Sequence, residues 1–570
     1  MSMSKNIARL AVTAGLTAAL SFGGVMTPVS MAFAAEGATN SITITQNKDN
    51  GATKFKAYQI FKADVIDGDS GKVVSNIGWA SDQAEKAVLD YLAAVPKSGI
   101  DANSSAQEAA KYLTDHSEGT GETTPIKNDN LFNGLAKAVE EGVDQTGSSF
   151  AAGEVFQPKD ASGNALQGYY LFVTDENTLS TDQNPKKNTG TSPIFAVVGD
   201  ALVTVTEKTS IPTVKKEVRE GAKWGKVSDS YIGEEVEYKL TGSVASNIAT
   251  FNKYEYVFQD TLSKGLEVAK NDDDTPKDLR VYIVNNDAQI EVKQDDKDGY
   301  KVTSSKDETT KKEKLTISFD NLKAVKSTSG SDIAVDARSS VVVTYKAKLN
   351  SEVEYKADGA TNEVKLVYSN NPMTGDKGTS ESDKATDYVF GLNVTKTDPD
   401  NESANLVAGF KVKMIKEGAT KEVAKWLKQD GSFTDDENKA YTFETTGTNN
   451  TVSIPGLVAG TYLISESKTP AGYNTIADFE ITVTPTYDPT TGELTNLKVT
   501  DTSNMVTTDL DKKVDSTEIP VTIQNKKGSG LPLTGLNGVT FTWIAGGAVL
   551  CIGVAHLIRS RKQAEESEQE

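Results

Sequence analysis

The 570-residue chain is poor in the groups from which most active sites and covalent staples are made. It has a single cysteine, Cys551, so no intramolecular disulfide and no cysteine-rich zinc arrangement is open to it. Its two histidines, His116 and His556, leave little room for histidine-based catalysis. Cations are outnumbered, 60 Lys+Arg against 80 Asp+Glu. The net charge of −20 argues against a nucleic-acid partner, which requires a clustered basic face to displace counterions from phosphates. No Ser-His-Asp set, nucleotide loop or metal cluster is legible, so no cofactor, no metal and no turnover enzyme is expected. Acidic runs such as Asn271-Asp272-Asp273-Asp274 lack the spacing and the glycine of an EF-hand loop and read as solvated turns.

What is present begins with two addresses. Residues 1–35 combine Lys5 and Arg9, an apolar stretch from Leu10 to Phe22, and small residues at Ala32-Phe33-Ala34-Ala35, as in a secretory signal peptide. Near the other end, Val539 to Ile558 is long enough to cross a bilayer as a helix. Arg559, Arg561 and Lys562 follow it and would hold that end in the cytoplasm. Cys551 lies inside this run, so the exported portion has no cysteine at all, although disulfides are the usual staple outside the cell.

Between the addresses, period-two alternation dominates. Strands are predicted at Ser41 to Thr45, Phe55 to Phe61, Gly168 to Val173, Pro193 to Val198, Glu235 to Leu240, Leu279 to Val284, Leu315 to Phe319 and Ser340 to Leu349. Ala84, Ala87, Val88, Tyr91 and Leu92, and later Leu131, Leu135 and Val139, recur at helical spacing. His116 reads as a solvated loop residue. The expected fold is mainly β: three tandem Ig-like β-sandwich domains at 36–208, 209–388 and 389–530, the first with a helical insertion. A sorting segment with its transmembrane helix follows at 531–570.

Alternate side chains of a strand share a face, and several polar residues fall in phase with apolar ones. Lys396 shares a face with Leu392 and Val394, Glu466 with Tyr462 and Ile464, and Asn525 with Val521 and Ile523. A lone buried lysine or glutamate costs several kcal/mol. The three together can react: a desolvated amine attacks the asparagine side-chain carbonyl while the acid shuttles protons and ammonia leaves. The product is a neutral isopeptide bond. The same phasing puts Lys216, but not Lys215, with Val214 and Val218. It puts Asp260 with Tyr254, Tyr256 and Phe258, and Asn362 with Val364, Leu366 and Tyr368. A second bond is therefore expected from Lys216 to Asn362 beside Asp260, with a slip to Lys215 or Asn370 as the competing register. Each bond is expected to join the first strand of its domain to the last. The first domain shows no such triad and no bond is expected there.

These segments resemble known families. Leu531-Pro532-Leu533-Thr534-Gly535, the apolar span and the basic tail are together similar to the LPxTG sorting signal of a Gram-positive sortase substrate. The resemblance implies cleavage between Thr534 and Gly535. Tyr462-Leu-Ile-Ser-Glu466-Ser-Lys-Thr-Pro470-Ala-Gly472-Tyr473 resembles the E-box, YxLxExxxPxGY, of Gram-positive pilins and collagen-adhesin B-type (CnaB-like) domains, with Ile464 for Leu. Asn525 stands where that family has its bond-forming asparagine. Pro212 to Val214, Tyr256 to Leu266 and Asn362 to Pro372 resemble the middle domain of fimbrial backbone subunits more loosely.

The family implied is the sortase-assembled major pilin, a structural subunit of a wall-anchored surface pilus. Its implied partners are a pilus-specific class C sortase, the housekeeping sortase and peptidoglycan, copies of itself, minor tip and base pilins, and a host receptor. The family's polymerisation lysine sits in a VxVYPK-like motif; here Val203-Thr-Val205-Thr-Glu-Lys208 stands at that junction, with Thr206-Glu207 replacing Tyr-Pro. That makes Lys208 the candidate and Lys215 the alternative. A monomeric LPxTG-anchored adhesin that binds host matrix or glycan remains the competing reading.

Overall fold

The computed structural model describes residues 39–527 except 48–49, 69–70, 118–124, 180–187, 208, 287, 402–403, 447–448, 504–505 and 509–514. The signal segment, Lys208, the sorting pentapeptide and the apolar run after it lie outside the described residues. Among the described residues no helix is long and apolar enough to cross a membrane. The chain is mainly β and divides into two compact units. Of the described residues, one holds those from 39 to 228 with 235–348 and 360–387; the other holds 229–234, 349–359 and those from 388 to 527.

The first unit opens with β1 (Ile42–Thr45) and β2 (Lys54–Gly68). At 15 residues β2 is about twice the stretch expected from Phe55 to Phe61, because its second half continues as a hairpin with Gly71–Trp79 that carries the exposed Ile66. Three helices follow: α1 (Asp82–Ala93), α2 (Ala106–Asp115) and α3 (Leu131–Gly142). Ser81 caps α1 by accepting from the Ala84 amide, and Ala84, Val88 and Leu92 form its buried stripe. Helix α2 starts in a capping box between Ser105 and Glu108. His116, exposed as expected of a solvated residue, is the non-helical C-cap of α2 and is stacked on Tyr112 with ring centroids 4.1 Å apart. Gly134 in α3 makes room for Tyr91, whose hydroxyl donates to the Leu131 carbonyl at 2.7 Å; a Cβ there would sit 2.2 Å from that hydroxyl.

Strands β3 (Gly168–Thr174) and β4 (Ile194–Val198) are buried along their whole length, between the helices on one face and β1 and β5 (Val203–Thr206) on the other. β1 and β5 pair in parallel, Ile42 opposite Val203.

The rest of this unit is a pair of facing seven-stranded sheets. One contains β6 (Val214–Glu220), β7 (Glu235–Ser243) and β10 (Ser340–Leu349), in that order; the other contains β12 (Asp383–Tyr388), β11 (Ala360–Ser369), β8 (Tyr256–Leu262) and β9 (Glu313–Phe319). Burial alternates strictly along β7, β8 and β10, as expected where only one face is covered.

The second unit packs a four-stranded sheet against a seven-stranded one. The smaller sheet places β13 (Phe390–Thr397) between β15 (Thr451–Leu457) and β18 (Glu518–Gln524); the larger runs through β14 (Gly409–Glu417), β16 (Gly460–Lys468) and β17 (Phe479–Tyr487). The first and last of these strands, β13 and β18, are neighbours in parallel register, Val394 opposite Val521 and Lys396 opposite Ile523. Phe410, Val412, Met414, Ile464 and Ile523 are fully buried between the sheets.

Candidate functional site

In the second unit, Lys396, Glu466 and Asn525 meet between the sheets. Lys396 is the penultimate residue of β13, and one residue further the Asn525 amide continues the parallel ladder by donating to the Thr397 carbonyl at 3.0 Å. That contact fixes the asparagine side by side with the lysine. Glu466 reaches in from β16 of the facing sheet, opposite Phe410 on β14. Lys396 and Asn525 are fully buried and Glu466 is nearly so. Lys396 Nζ donates to Asn525 Oδ1 and lies 3.4 Å from Glu466 Oε1, with the Phe410 ring 5.8 Å away.

The carboxamide is oriented by its nitrogen. Asn525 Nδ2 donates to Glu466 Oε1 at 3.0 Å and Oε2 at 3.2 Å, and to the Asn474 carbonyl at 3.1 Å. The carbonyl oxygen of the amide thus faces the amine, and its leaving nitrogen faces the acid. The Asn474 carbonyl escaped the sequence reading because a main-chain acceptor leaves no side-chain signature. Its neighbour Tyr473, the last residue of the E-box-like run, donates to buried Asp398 at 2.7 Å and so pins this segment over the site. Burial is the largest influence on the Lys396 amine and lowers its pKa to about 8, against the pull of Glu466 in the opposite direction.

In the first unit, Lys216, Asp260 and Asn362 also meet, from opposite sheets. Lys216 lies on β6 opposite Leu240, while Asp260 and Asn362 lie on β8 and β11, opposite Val364 and Leu262 respectively. All three are fully buried. Lys216 Nζ is 2.7 Å from both oxygens of Asp260, and burial lowers the amine to about 8. Tyr345, on β10, was read only as part of a strand, yet its hydroxyl stands among the three groups.

The competing residues sit elsewhere. Lys215 is exposed and pairs with Glu217 at 2.8 Å; Asn370 is buried in the loop after β11, where its carbonyl accepts from Thr189. One expectation needs correction. Asn362 is not on the last strand of its sheet pair, because β12 follows it and pairs alongside β11, Asn362 opposite Ala385. In the helix-bearing part of this unit, no lysine is among the fully buried polar residues described.

Glu207 is buried at the end of β5, immediately before Lys208. Its Oε1 accepts from Asn50 Nδ2 at 2.7 Å and from the Asn47 amide at 3.0 Å, while Oε2 has no hydrogen-bond partner among the described residues. Burial pushes its pKa from 4.5 up to about 7. The raised value means that the folded state holds this proton more tightly than the unfolded state. Stability from this group is therefore full below about pH 4.5 and is lost as pH rises towards 7. Glu207→Gln is expected to flatten the fall in stability across that window by about 3 kcal/mol, read from urea midpoints at several pH values. An unchanged slope would show that the carboxyl ionises freely.

A family model, the SpaA prealbumin-like fold domain, matches residues 390–498. No curated protein matches the chain. Among solved structures, the T6 backbone pilin of serotype M6 Streptococcus pyogenes is 15% identical, with 87% of this chain and 100% of that one covered and a TM-score of 0.47. The Corynebacterium diphtheriae major pilin SpaA is 12% identical, with 85% and 100% covered and a TM-score of 0.42. The group B streptococcus pilus 2b backbone protein is 21% identical, with 56% and 99% covered and a TM-score of 0.38. Residues 390–498, which hold Lys396 and Glu466, are thus similar to the SpaA prealbumin-like fold domain.

Proposed function

We propose that the chain is the backbone subunit of a covalently polymerised, sortase-assembled surface pilus, built of three domains at 36–208, 209–388 and 389–530. Two of them are closed by autocatalytic Lys–Asn isopeptide bonds, Lys396 to Asn525 beside Glu466 and Lys216 to Asn362 beside Asp260. The observation that carries this reading is the burial of a complete amine, acid and amide set at each place, in direct hydrogen-bond contact at Lys396–Glu466–Asn525 and through the Tyr345 hydroxyl at Lys216–Asp260–Asn362, with no cysteine in the exported portion. A fibre under tension needs such closures, and each forms once per molecule without turnover.

Export by the signal segment, cleavage between Thr534 and Gly535 within Leu531-Pro532-Leu533-Thr534-Gly535, and transfer of Thr534 to Lys208 of the next copy would give head-to-tail growth. A heterologous contact repeated in one direction makes an open filament. The class C sortase, the housekeeping sortase with peptidoglycan, the tip and base subunits and a host receptor are the partners this reading requires.

Wall extracts of cells producing the chain with its sortase should show an SDS-resistant ladder of multimers. Lys208→Ala should collapse the ladder to monomer, and Lys215→Ala should leave it intact. A single band from the unaltered chain would instead identify a monomeric wall-anchored adhesin.

A further inference from the structure

The two clusters differ in how the acid reaches the amide. Glu466 reaches the Asn525 amide nitrogen directly. Asp260 is one methylene shorter, and a tyrosine hydroxyl stands between it and the Asn362 amide. Tyr345 OH donates to Asp260 Oδ2 at 2.5 Å and accepts from Asn362 Nδ2 at 2.7 Å, and Lys216 Nζ lies 3.1 Å away. One hydroxyl therefore touches the nucleophile, the acid and the leaving group. Tyr345 is fully buried on β10, opposite Tyr238, with the two rings stacked at 5.7 Å and Lys216 Nζ over both. At the other cluster the lysine is flanked by Phe410, which has no hydroxyl to offer.

We propose that Tyr345 is a fourth catalytic residue of the Lys216–Asn362 closure, relaying protons between Asp260 and the departing amide nitrogen. This deepens the isopeptide reading and rests on it. The ammonium of Lys216 first gives one proton to Asp260. The neutral amine then attacks Asn362 Cγ, forming the Nζ–Cγ bond. Asn362 Oδ1, which has no hydrogen-bond partner, takes the negative charge. Tyr345 passes its proton to Nδ2 and is reprotonated by Asp260, which recovers a proton from Nζ. The Cγ–Nδ2 bond breaks, ammonia leaves and Asp260 ends protonated. Every proton is supplied from within the cluster. Burial holds the Tyr345 phenol protonated well above its ordinary range, so it enters the reaction as a donor.

The test is the rate of closure in the full chain made by pulsed cell-free synthesis, quenched at intervals, with the Lys216–Asn362 linked peptide quantified by mass spectrometry. Tyr345→Phe keeps the ring and removes the hydroxyl, and is expected to slow this closure by about 100-fold or more, the usual worth of a positioned acid or base. The Lys396–Asn525 closure in the same molecules is expected to be unchanged and serves as the folding control. Adding Asp260→Glu to Tyr345→Phe should restore much of the rate, since a glutamate reaches the amide unaided at the other cluster. Closure of the Tyr345→Phe chain at the unaltered rate overturns the relay, and slowing that Asp260→Glu does not relieve overturns it too, leaving Tyr345 a packing role. If Tyr345→Phe prevents folding, site-specific 3-fluorotyrosine at 345, with its more acidic hydroxyl, should shift the pH dependence of closure; an unshifted profile overturns the relay. Absence of the linked peptide from the unaltered chain would instead defeat the isopeptide reading itself.

Discussion

The full chain is expected to weigh two ammonias less than its sequence, and Lys396→Ala one ammonia less. At each cluster the alternative to reaction is a buried ion pair beside a buried amide, and the energetics favour reaction. Burial of the pair is a standing penalty of several kcal/mol that mutual attraction only partly offsets. Reaction replaces both charges with a neutral amide. The barrier is lowered in two ways. An amine lowered to about 8 is free base in about one molecule in ten at pH 7, against about one in three thousand for an ordinary lysine. Holding amine and amide side by side, in direct hydrogen-bond contact at Lys396 and Asn525, supplies an effective-concentration advantage of up to roughly 7–11 kcal/mol. Asp260→Ala should likewise restore one ammonia while leaving the other closure intact. Full sequence mass in the unaltered chain would mean that both clusters are ordinary polar networks.

The faces of the strands were legible because a strand has only two. Once Leu392 and Val394 are assigned inward, Lys396 has no alternative, and the same holds for Asp260 behind Tyr256 and Phe258. Tyr345 was hidden by the same logic: tyrosine counts as a core residue, so a hydroxyl in phase with Val341, Val343 and Ala347 raised no alarm. The Asn474 carbonyl was hidden because sequence does not say where a main-chain acceptor will point. Burial of Glu207 was also out of reach, since its partners Asn47 and Asn50 come from a loop some 160 residues earlier in the chain. Helix α2 carries its apolar period mostly in alanine, at Ala106, Ala109, Ala110 and Leu113, a weaker signal than larger side chains give, and its capping box at Ser105 and Glu108 marks its start.

The position of Asn362 changes what the first unit's closure can shelter. Tension entering along β6 would cross from Lys216 to Asn362 and then continue through the remainder of β11 and through β12, which are held there by strand pairing alone. In the second unit the load would run along β13 to Lys396, cross to Asn525 and leave, so that residues 397–524 carry none of it. A closure between adjacent parallel end strands would be the more complete of the two.

That completeness sets the second large effect, the stability of the second unit. Asn525→Ala removes the electrophile while leaving Lys396 beside Glu466, so no buried charge is orphaned. The lost cross-link spans 129 residues, and by analogy with a disulfide closing a loop of that size it is worth about 5 kcal/mol through the entropy of the unfolded chain. The hydrogen bonds from Asn525 to Glu466 and Asn474 add roughly 1–3 kcal/mol. Together they should lower the calorimetric transition of this unit by about 20 °C, with the first unit's transition unmoved. Trypsin sensitivity should appear in residues 397–524, because unfolding now frees both ends of the segment. The size of the drop separates the explanations. A fall of about 2 kcal/mol is what hydrogen bonds alone can supply, and it would show that the lysine and asparagine were never joined.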